Sequence, residues 1–374
     1  MQTIAVQFQA RQQLMFEQPD LPVATTEEVD SMIESDCVVA FGVSGGKDGA
    51  AAAIAGIAYL DSVGHKGPRI LVHADLGRVE WEDSLPSCQR LADALGAELM
   101  VVKRQAGDMM DRWINRWENN VQRYRDLACV KLILPWSTPS MRFCTSELKN
   151  QVIERALKKR FPDREILNVT GVRRQESARR RRMPVSKPNK GLTRKGLRGV
   201  NWNNVIEWPV EQVFATIERA GIPLHEAYIK YGLTRVSCTF CIMASEADLR
   251  ASSTCPDNRE IYIEMVELEA LSTFSFQEGK WLADIAPDLL SPALRERIAV
   301  AKVKAIRREQ AEAKLPAYLL FEDGLPTSVP SLAEAVLIAQ VRGEVADAVG
   351  FHIDHLSPEA VIARYEQLFA ERSQ

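Results

Sequence analysis

The sequence predicts an α/β fold: a doubly wound, mostly parallel sheet, followed by a helical C-terminal extension. Three observations predict it. Short runs rich in Val, Ile and Leu alternate with helical patterns between about residues 37 and 220. The first run, Val38 to Val43, ends in Ser44-Gly45-Gly46-Lys47-Asp48-Gly49, and an Ala-rich helical pattern follows at once. From about residue 271 the pattern is helical only, with Ser-Pro and Ser-x-x-Glu starts.

Taken in order, residues 1–36 form an N-terminal extension, 37–260 the catalytic domain and 271–374 the helical extension. Met1–Arg11 lacks the basic start and apolar core of a signal peptide, so a cytoplasmic location is expected. No run of about 18 apolar residues occurs, which excludes a helical membrane span. Strands are expected at Cys37–Val43, Arg69–His73, Glu98–Val102, Ile166–Thr170 and Val205–Glu207, with helices at Asp48–Asp61, Trp81–Leu95 and Thr145–Arg160. Ser186–Asn204 is polar and rich in Pro, Gly, Lys and Asn, and reads as a mobile loop. In the tail, helices start at Ser291-Pro292 (to about Lys314), at the capping box Ser331-x-x-Glu334, and at Ser357-Pro358 (to near Phe369).

Ligands on such sheets bind beyond the carboxyl ends of the strands. The motifs fall there: Ser44–Asp48 after the first strand, Ala74-Asp75-Leu76-Gly77 after the second, Gly171-Val172-Arg173 after a later one. Glycines permit positive φ and close backbone approach, and a helix N-terminus adds free N–H donors. The loop is therefore a phosphate cradle. It is not a Walker A motif, because Asp48 follows Lys47 where that motif needs Ser or Thr. Asp75 fits a magnesium or ribose contact, or a simple helix cap.

Seven cysteines, an odd number, argue against a disulfide framework in a chain without an export signal. Cys238 and Cys241 form a C-x2-C pair, Cys255 lies fourteen residues beyond it, and Cys144 lies far upstream. Four thiolates suit a [4Fe–4S] cluster or a structural zinc. Cys129 is a spare fourth ligand, and Cys37 and Cys88 read as core.

Between Arg173 and Arg198 lie eleven basic residues and one acid, Glu176, in a protein of net charge −3. Arg180, Arg181, Arg182, Lys187, Lys190, Arg194, Lys195 and Arg198 exceed what one nucleotide needs. With Trp202 and several Asn beside them they suit a phosphodiester backbone, or else a solvated loop or an acidic protein partner. Trp113, Trp117 and Tyr124 fit either base stacking or a core.

The Ser44–Asp48 loop resembles the PP-loop of the ATP pyrophosphatase superfamily. The motif order resembles its PAPS-reductase-like branch: His73-Ala74-Asp75-Leu76-Gly77 with Glu80-Trp81, then Arg142-Phe143-Cys144 with Leu148-Lys149. After these come Thr170-Gly171-Val172-Arg173-Arg174 with Glu176, Ser177 and Arg179, then Trp208-Pro209, Gly221-Ile222-Pro223, and Arg235-x-x-Cys238-x-x-Cys241. The resemblance implies ATP bound by Ser44, Gly45, Gly46, Lys47, Asp48, Asp75, Gly171, Arg173, Arg174 and Arg179, with Mg²⁺. It implies catalytic roles for Lys47, Asp48, Arg173 and Arg174, and metal ligation by Cys144, Cys238 and Cys241, with Cys255 inferred as the fourth ligand from its nearness to the pair. Gly49 departs from the family's usual Ser or Thr.

Sulfonucleotide reductases of this branch use a cysteine near the C-terminus, and none follows Cys255 here. The expectation is therefore an ATP pyrophosphatase that adenylates a nucleic acid for sulfur insertion, similar to the DndC/SspD-type DNA phosphorothioation proteins. DNA, a cysteine desulfurase and further modification-complex subunits are the implied partners. The alternatives are APS or PAPS reduction, tRNA thiolation, or a DNA-binding subunit that only senses ATP.

Overall fold

The structure, a computed structural model, describes residues 21–372. The reading of Met1–Arg11 lies outside them. The chain forms two compact units, each built from separate stretches of sequence. One holds the described residues up to Asp108 together with Phe143–Cys241; the other holds Met109–Arg142 and the chain from Ile242 onward.

The first unit is a six-stranded sheet in the order β3-β2-β1-β4-β6-β5. Its strands are β1 (Val38–Val43), β2 (Arg69–Asp75), β3 (Glu98–Lys103), β4 (Ile166–Val169), β5 (Ser186–Pro188) and β6 (Gly199–Trp202). All pairings are parallel except β5 with β6. The helices, in chain order, are α1 (Glu27–Glu34), α2 (Lys47–Ser62) and α3 (Ser84–Leu95), then α5 (Gln151–Arg160), α6 (Val210–Arg219) and the short α7 (Glu226–Ile229). The intervening helix, α4 (Met109–Arg125), belongs to the other unit. The central β1 is apolar at nearly every position because both of its faces are covered, as parallel sheets require. α2 packs against it so closely that a Cβ on Gly56 would lie 2.4 Å from Phe41 Cε1. The Ala-rich composition of α2 serves that close approach.

Two elements differ from the sequence reading. Val205–Glu207 is a turn; the strand is Gly199–Trp202, whose Gly and Asn residues hide its apolar alternation. Ser186–Asn204 is not a mobile loop but an antiparallel hairpin that completes the sheet. Asn189 holds its turn, accepting from the Gly191 and Leu192 amides and donating to Asn201 Oδ1. Lys187 and Pro188 stand on the edge strand, where charge and a missing N–H discourage pairing with another chain.

Among the described residues, those before β1 pack into this unit's core. Val29, Met32 and Ile33 of α1 are buried. Trp202 Nε1 donates to Ala24 O (2.7 Å) and Trp208 Nε1 to Pro22 O (3.1 Å), while Gln212 takes and gives a bond at Leu21.

The second unit contains α4 together with α8 (Glu246–Ser253), α9 (Arg259–Ser272), α10 (Pro292–Glu312), α11 (Leu332–Val349) and α12 (Pro358–Arg372). The expected caps are present: Ser291 Oγ accepts from Leu294 N, and Ser331 with Glu334 forms a full capping box. Trp113, Trp117 and Tyr124 are buried here; Trp113 packs on Trp136 and Phe276, and Trp117 on Phe274. They are core, not a base-stacking platform.

Arg342, fully buried, ties the sequence-distant stretches together by donating to the carbonyls of Tyr124, Arg125, Asp354 and His355 at 2.6–3.0 Å. Buried Glu269 organises the 274–284 loop by accepting from the amides of Phe276, Leu282 and Ala283. Burial pushes its carboxyl up to about 7 against those three bonds.

Arg342→Leu strands these carbonyls and is expected to cost at least about 2 kcal/mol in chemical denaturation. Glu269 titrates higher in the fold than in the unfolded chain. Its stabilising contribution is therefore complete below about pH 4.5 and lost as pH rises through about 7. Glu269→Gln should flatten the fall in stability between those values, measured as denaturation midpoint against pH.

Candidate functional site: a glycine loop and a cysteine pair

The loop after β1 has the conformation its glycines predict. Gly45 has φ of +73°, and α2 begins at Lys47 with Gly46 as an extended N-cap that offers no side-chain cap, its first amide donating instead to the Tyr228 hydroxyl at 3.2 Å. Gly171, after β4, packs on this loop: a Cβ there would meet Asp48 C at 2.3 Å and Gly49 N at 2.5 Å. Gly49 now has a packing reason. A Cβ on it would lie 3.1 Å from Gly42 O, tighter than ordinary contact, because the first turn of α2 sits on the end of β1.

The charges form a chain. Asp48 Oδ2 lies 3.2 Å from Lys47 Nζ, and Asp48 Oδ1 accepts from Arg173 Nε at 2.6 Å. Arg173 is buried, and its guanidinium also donates to Gln175 Oε1 and Trp208 O. Asp48 is thus the counter-ion that aims two cations, one from each of its oxygens. Lys47, buried, also donates to Thr234 O (3.3 Å) and lies 5.5 Å from the Tyr228 ring centre and 5.9 Å from that of Phe214. Asp75 forms an Asx turn, accepting from Gly77 N at 2.7 Å. Arg174 is engaged with Met183 O and Glu207. Arg179 is exposed.

His73, buried at the end of β2, carries no role in the sequence reading. Its Nδ1 lies 3.2 Å from Val43 O and its Nε2 3.0 Å from Glu80 Oε2. Both neighbours can accept, so a ring carrying both protons satisfies them. Burial opposes that charge, but the contacts with Cys88 and Glu80 outweigh it and raise the imidazole to about 10. His73 thereby locks the end of β1 to the Glu80 turn.

That turn meets the cysteine pair. Thr239, between Cys238 and Cys241, donates to Val79 O through both its amide (2.8 Å) and its hydroxyl (3.1 Å). Cys144 stands in the helical turn Phe143–Thr145, followed by a π-helical turn, Ser146–Asn150, that carries Lys149. Burial pushes the Cys238 thiol up to about 12. Lys149 opposes this, whereas Cys241, Glu80 and Cys144 reinforce it. These groups therefore feel one another. Among the described residues the sulfurs of Cys144, Cys238 and Cys241 are not all within 4.8 Å of one another. Cys255 belongs to the second unit, where it is buried with Sγ 4.0 Å from Asp257 Oδ2. Cys129 is in that unit too, its thiol pushed up by burial to about 11; Cys37 and Cys88 are buried core cysteines.

The basic residues divide. Arg194 caps the C-terminal end of α5 by donating to Phe161, Pro162 and Arg164 carbonyls. Arg198 grips Glu165 with two bonds, and Arg180 pairs with Glu176. Arg181, Arg182, Lys187, Lys190 and Lys195 are exposed with Arg179. Trp202 is buried and leaves no ring for a base.

A mostly parallel sheet with a glycine-rich loop at its carboxyl edge and a cysteine pair in the same unit define an α/β fold of PAPS-reductase type. The chain belongs to the phosphoadenosine phosphosulfate reductase domain family, whose model matches residues 38–244. Comparison with curated proteins found no match. Among solved structures it is similar to phosphoadenylyl-sulfate (PAPS) reductase from Candida auris in a phosphate complex, at 14% identity and a TM-score of 0.33, covering 58% of this chain and 98% of that one. It is also similar to the U34-tRNA thiolase NcsA from Methanococcus maripaludis with its [4Fe–4S] cluster, at 13% identity and a TM-score of 0.33, covering 69% and 83%. Among the described residues no helix is long and apolar enough to cross a membrane.

Gly171→Ala is expected to destabilise the fold by about 1–3 kcal/mol, because the added methyl meets backbone that cannot yield cheaply. Its thermal melt, with and without nucleotide, checks this.

Proposed function

We propose that this protein is an ATP pyrophosphatase that activates a nucleic-acid acceptor, the DNA backbone, for sulfur insertion, and that it works with a [4Fe–4S] cluster. The observation that carries the reading is the Ser44–Asp48 cradle, with buried Lys47 beside it and a C-x2-C pair tethered to the neighbouring strand end.

In this reading the loop amides and Lys47 hold the β- and γ-phosphates and stabilise the charge that gathers on departing pyrophosphate. A backbone oxygen of the acceptor attacks the α-phosphorus, the bond to pyrophosphate breaks, and the acceptor is left adenylated. AMP then leaves as sulfide-level sulfur attacks the adenylated phosphorus, a dithiol reductant supplying the two electrons that bring desulfurase-derived persulfide sulfur to that level. Asp48 keeps Lys47 and Arg173 aimed throughout, and Mg²⁺ offsets phosphate charge. Cys144, Cys238 and Cys241 would hold the cluster. Bound there, the cluster carries or relays sulfur supplied by a cysteine desulfurase. The exposed basic residues of the β5–β6 hairpin and the preceding turn would contact the acceptor's phosphates.

Anaerobically purified protein given ATP and Mg²⁺ should release AMP and pyrophosphate; ADP and phosphate would overturn the reading. The preparation should be brown, absorbing near ~400 nm, and Cys238→Ala should bleach it. Replacing Arg181, Arg182 and Lys187 by Ala should flatten the slope of log affinity for duplex DNA against log salt by roughly 3, one for each phosphate no longer neutralised. An unchanged slope would mean those charges are merely solvated. Preference for RNA over DNA of equal length would move the acceptor to tRNA. The family itself favours one other reading, sulfonucleotide reduction, and sulfite release from PAPS would decide for it.

A further inference from the structure

The Tyr228 hydroxyl lies against the start of α2. It accepts the Lys47 amide, the first of α2, at 3.2 Å, and the Val236 amide, also at 3.2 Å. Two donors leave the phenolic proton to be given elsewhere, and among the described residues no acceptor stands in hydrogen-bond range of it. Burial pushes the hydroxyl up to about 12, so it keeps that proton. A hydroxyl accepting two amide bonds is polarised into a better donor. Its ring stands under Lys47 Nζ at 5.5 Å. Around it the rest of the 225–241 segment lies on the loop. Lys47 Nζ donates to Thr234 O, Val236 O is 3.7 Å from where a Gly46 Cβ would be, and His225 stands against Gly45. Two residues beyond Val236 is Cys238.

We propose that Tyr228 is a positioning residue of the anion site. Its proton is donated to an oxygen of the phosphate held in the loop, and its bond to Val236 passes the occupancy of that site to the C-x2-C pair. The ligand class is a di- or triphosphate. The proposal rests on the cradle being a phosphate site, and the test separates the two. Bare Ser44–Asp48 loop geometry needs no tyrosine; a hydroxyl pinned by the loop's own amide and by the cysteine-bearing segment makes the two sites one unit.

The test is calorimetric binding of inorganic pyrophosphate with Mg²⁺ to the full chain and to Tyr228→Phe, with a thermal melt of each to show that the ring still packs. Wild type should bind, and Tyr228→Phe should bind about tenfold or more weakly, the loss expected for one hydrogen bond to a charged group. In metal-free protein, pyrophosphate should change the alkylation rate of Cys238 and Cys241 in wild type and leave it unchanged in Tyr228→Phe. No binding by wild type overturns the phosphate site and this inference with it. Wild-type binding matched by Tyr228→Phe overturns the inference alone, and so does an alkylation rate in wild type that ignores pyrophosphate. A Tyr228→Leu variant that binds as weakly as Tyr228→Phe would confirm that the hydroxyl, rather than the ring, is what matters.

Discussion

The first unit depends on one carboxylate. Asp48 stands between Lys47 and buried Arg173, and each of those cations reaches a different part of the fold. Lys47 reaches the Thr234 carbonyl on the cysteine-bearing segment, and Arg173 reaches the Trp208 carbonyl before α6. Neither cation is at home in a buried position alone, since an unpaired buried charge is costly. The Gly171 backbone closes over the same residue from β4. The loop is thus shaped by ionic balance as much as by its glycines, and its shape is ready before any phosphate arrives.

Chemistry is concentrated at the carboxyl ends of β1, β2 and β4 because parallel strands aim their loops the same way. His73 joins two of these ends through Val43 and Glu80, and Thr239 hooks the cysteine pair to the same turn. A phosphate cradle and a set of thiols that lie far apart in sequence therefore share one wall.

Much of this is legible in the sequence. β1, β2 and β4 read clearly because buried parallel strands are continuous apolar runs, β3 because of its Leu-Met-Val-Val run despite its exposed edge position, and the Gly-rich loop because positive φ and close approach demand glycine. The hairpin 186–202 does not. Its order comes from Asn189 and Asn201 bonding across the turn, and such polar residues look like loop in one dimension. The arginine run misleads in part for a related reason. Arg194 and Arg198 look like surface charge in the sequence, but a long side chain can fold back to cap a helix or grip a carboxylate. The role of Gly49 and that of Tyr228 depend on contacts from distant segments, which no local pattern carries.

The measurement that tests the central claim most directly is Mg²⁺–ATP binding by Asp48→Asn, followed by calorimetry beside wild type and with the stability of each determined. Asn keeps the shape and removes the charge that holds Lys47 and Arg173. The account predicts a stability loss of about 3–5 kcal/mol from the unpaired buried arginine, together with at least tenfold weaker ATP binding. An Asp48→Asn protein as stable as wild type and binding ATP equally well would contradict it.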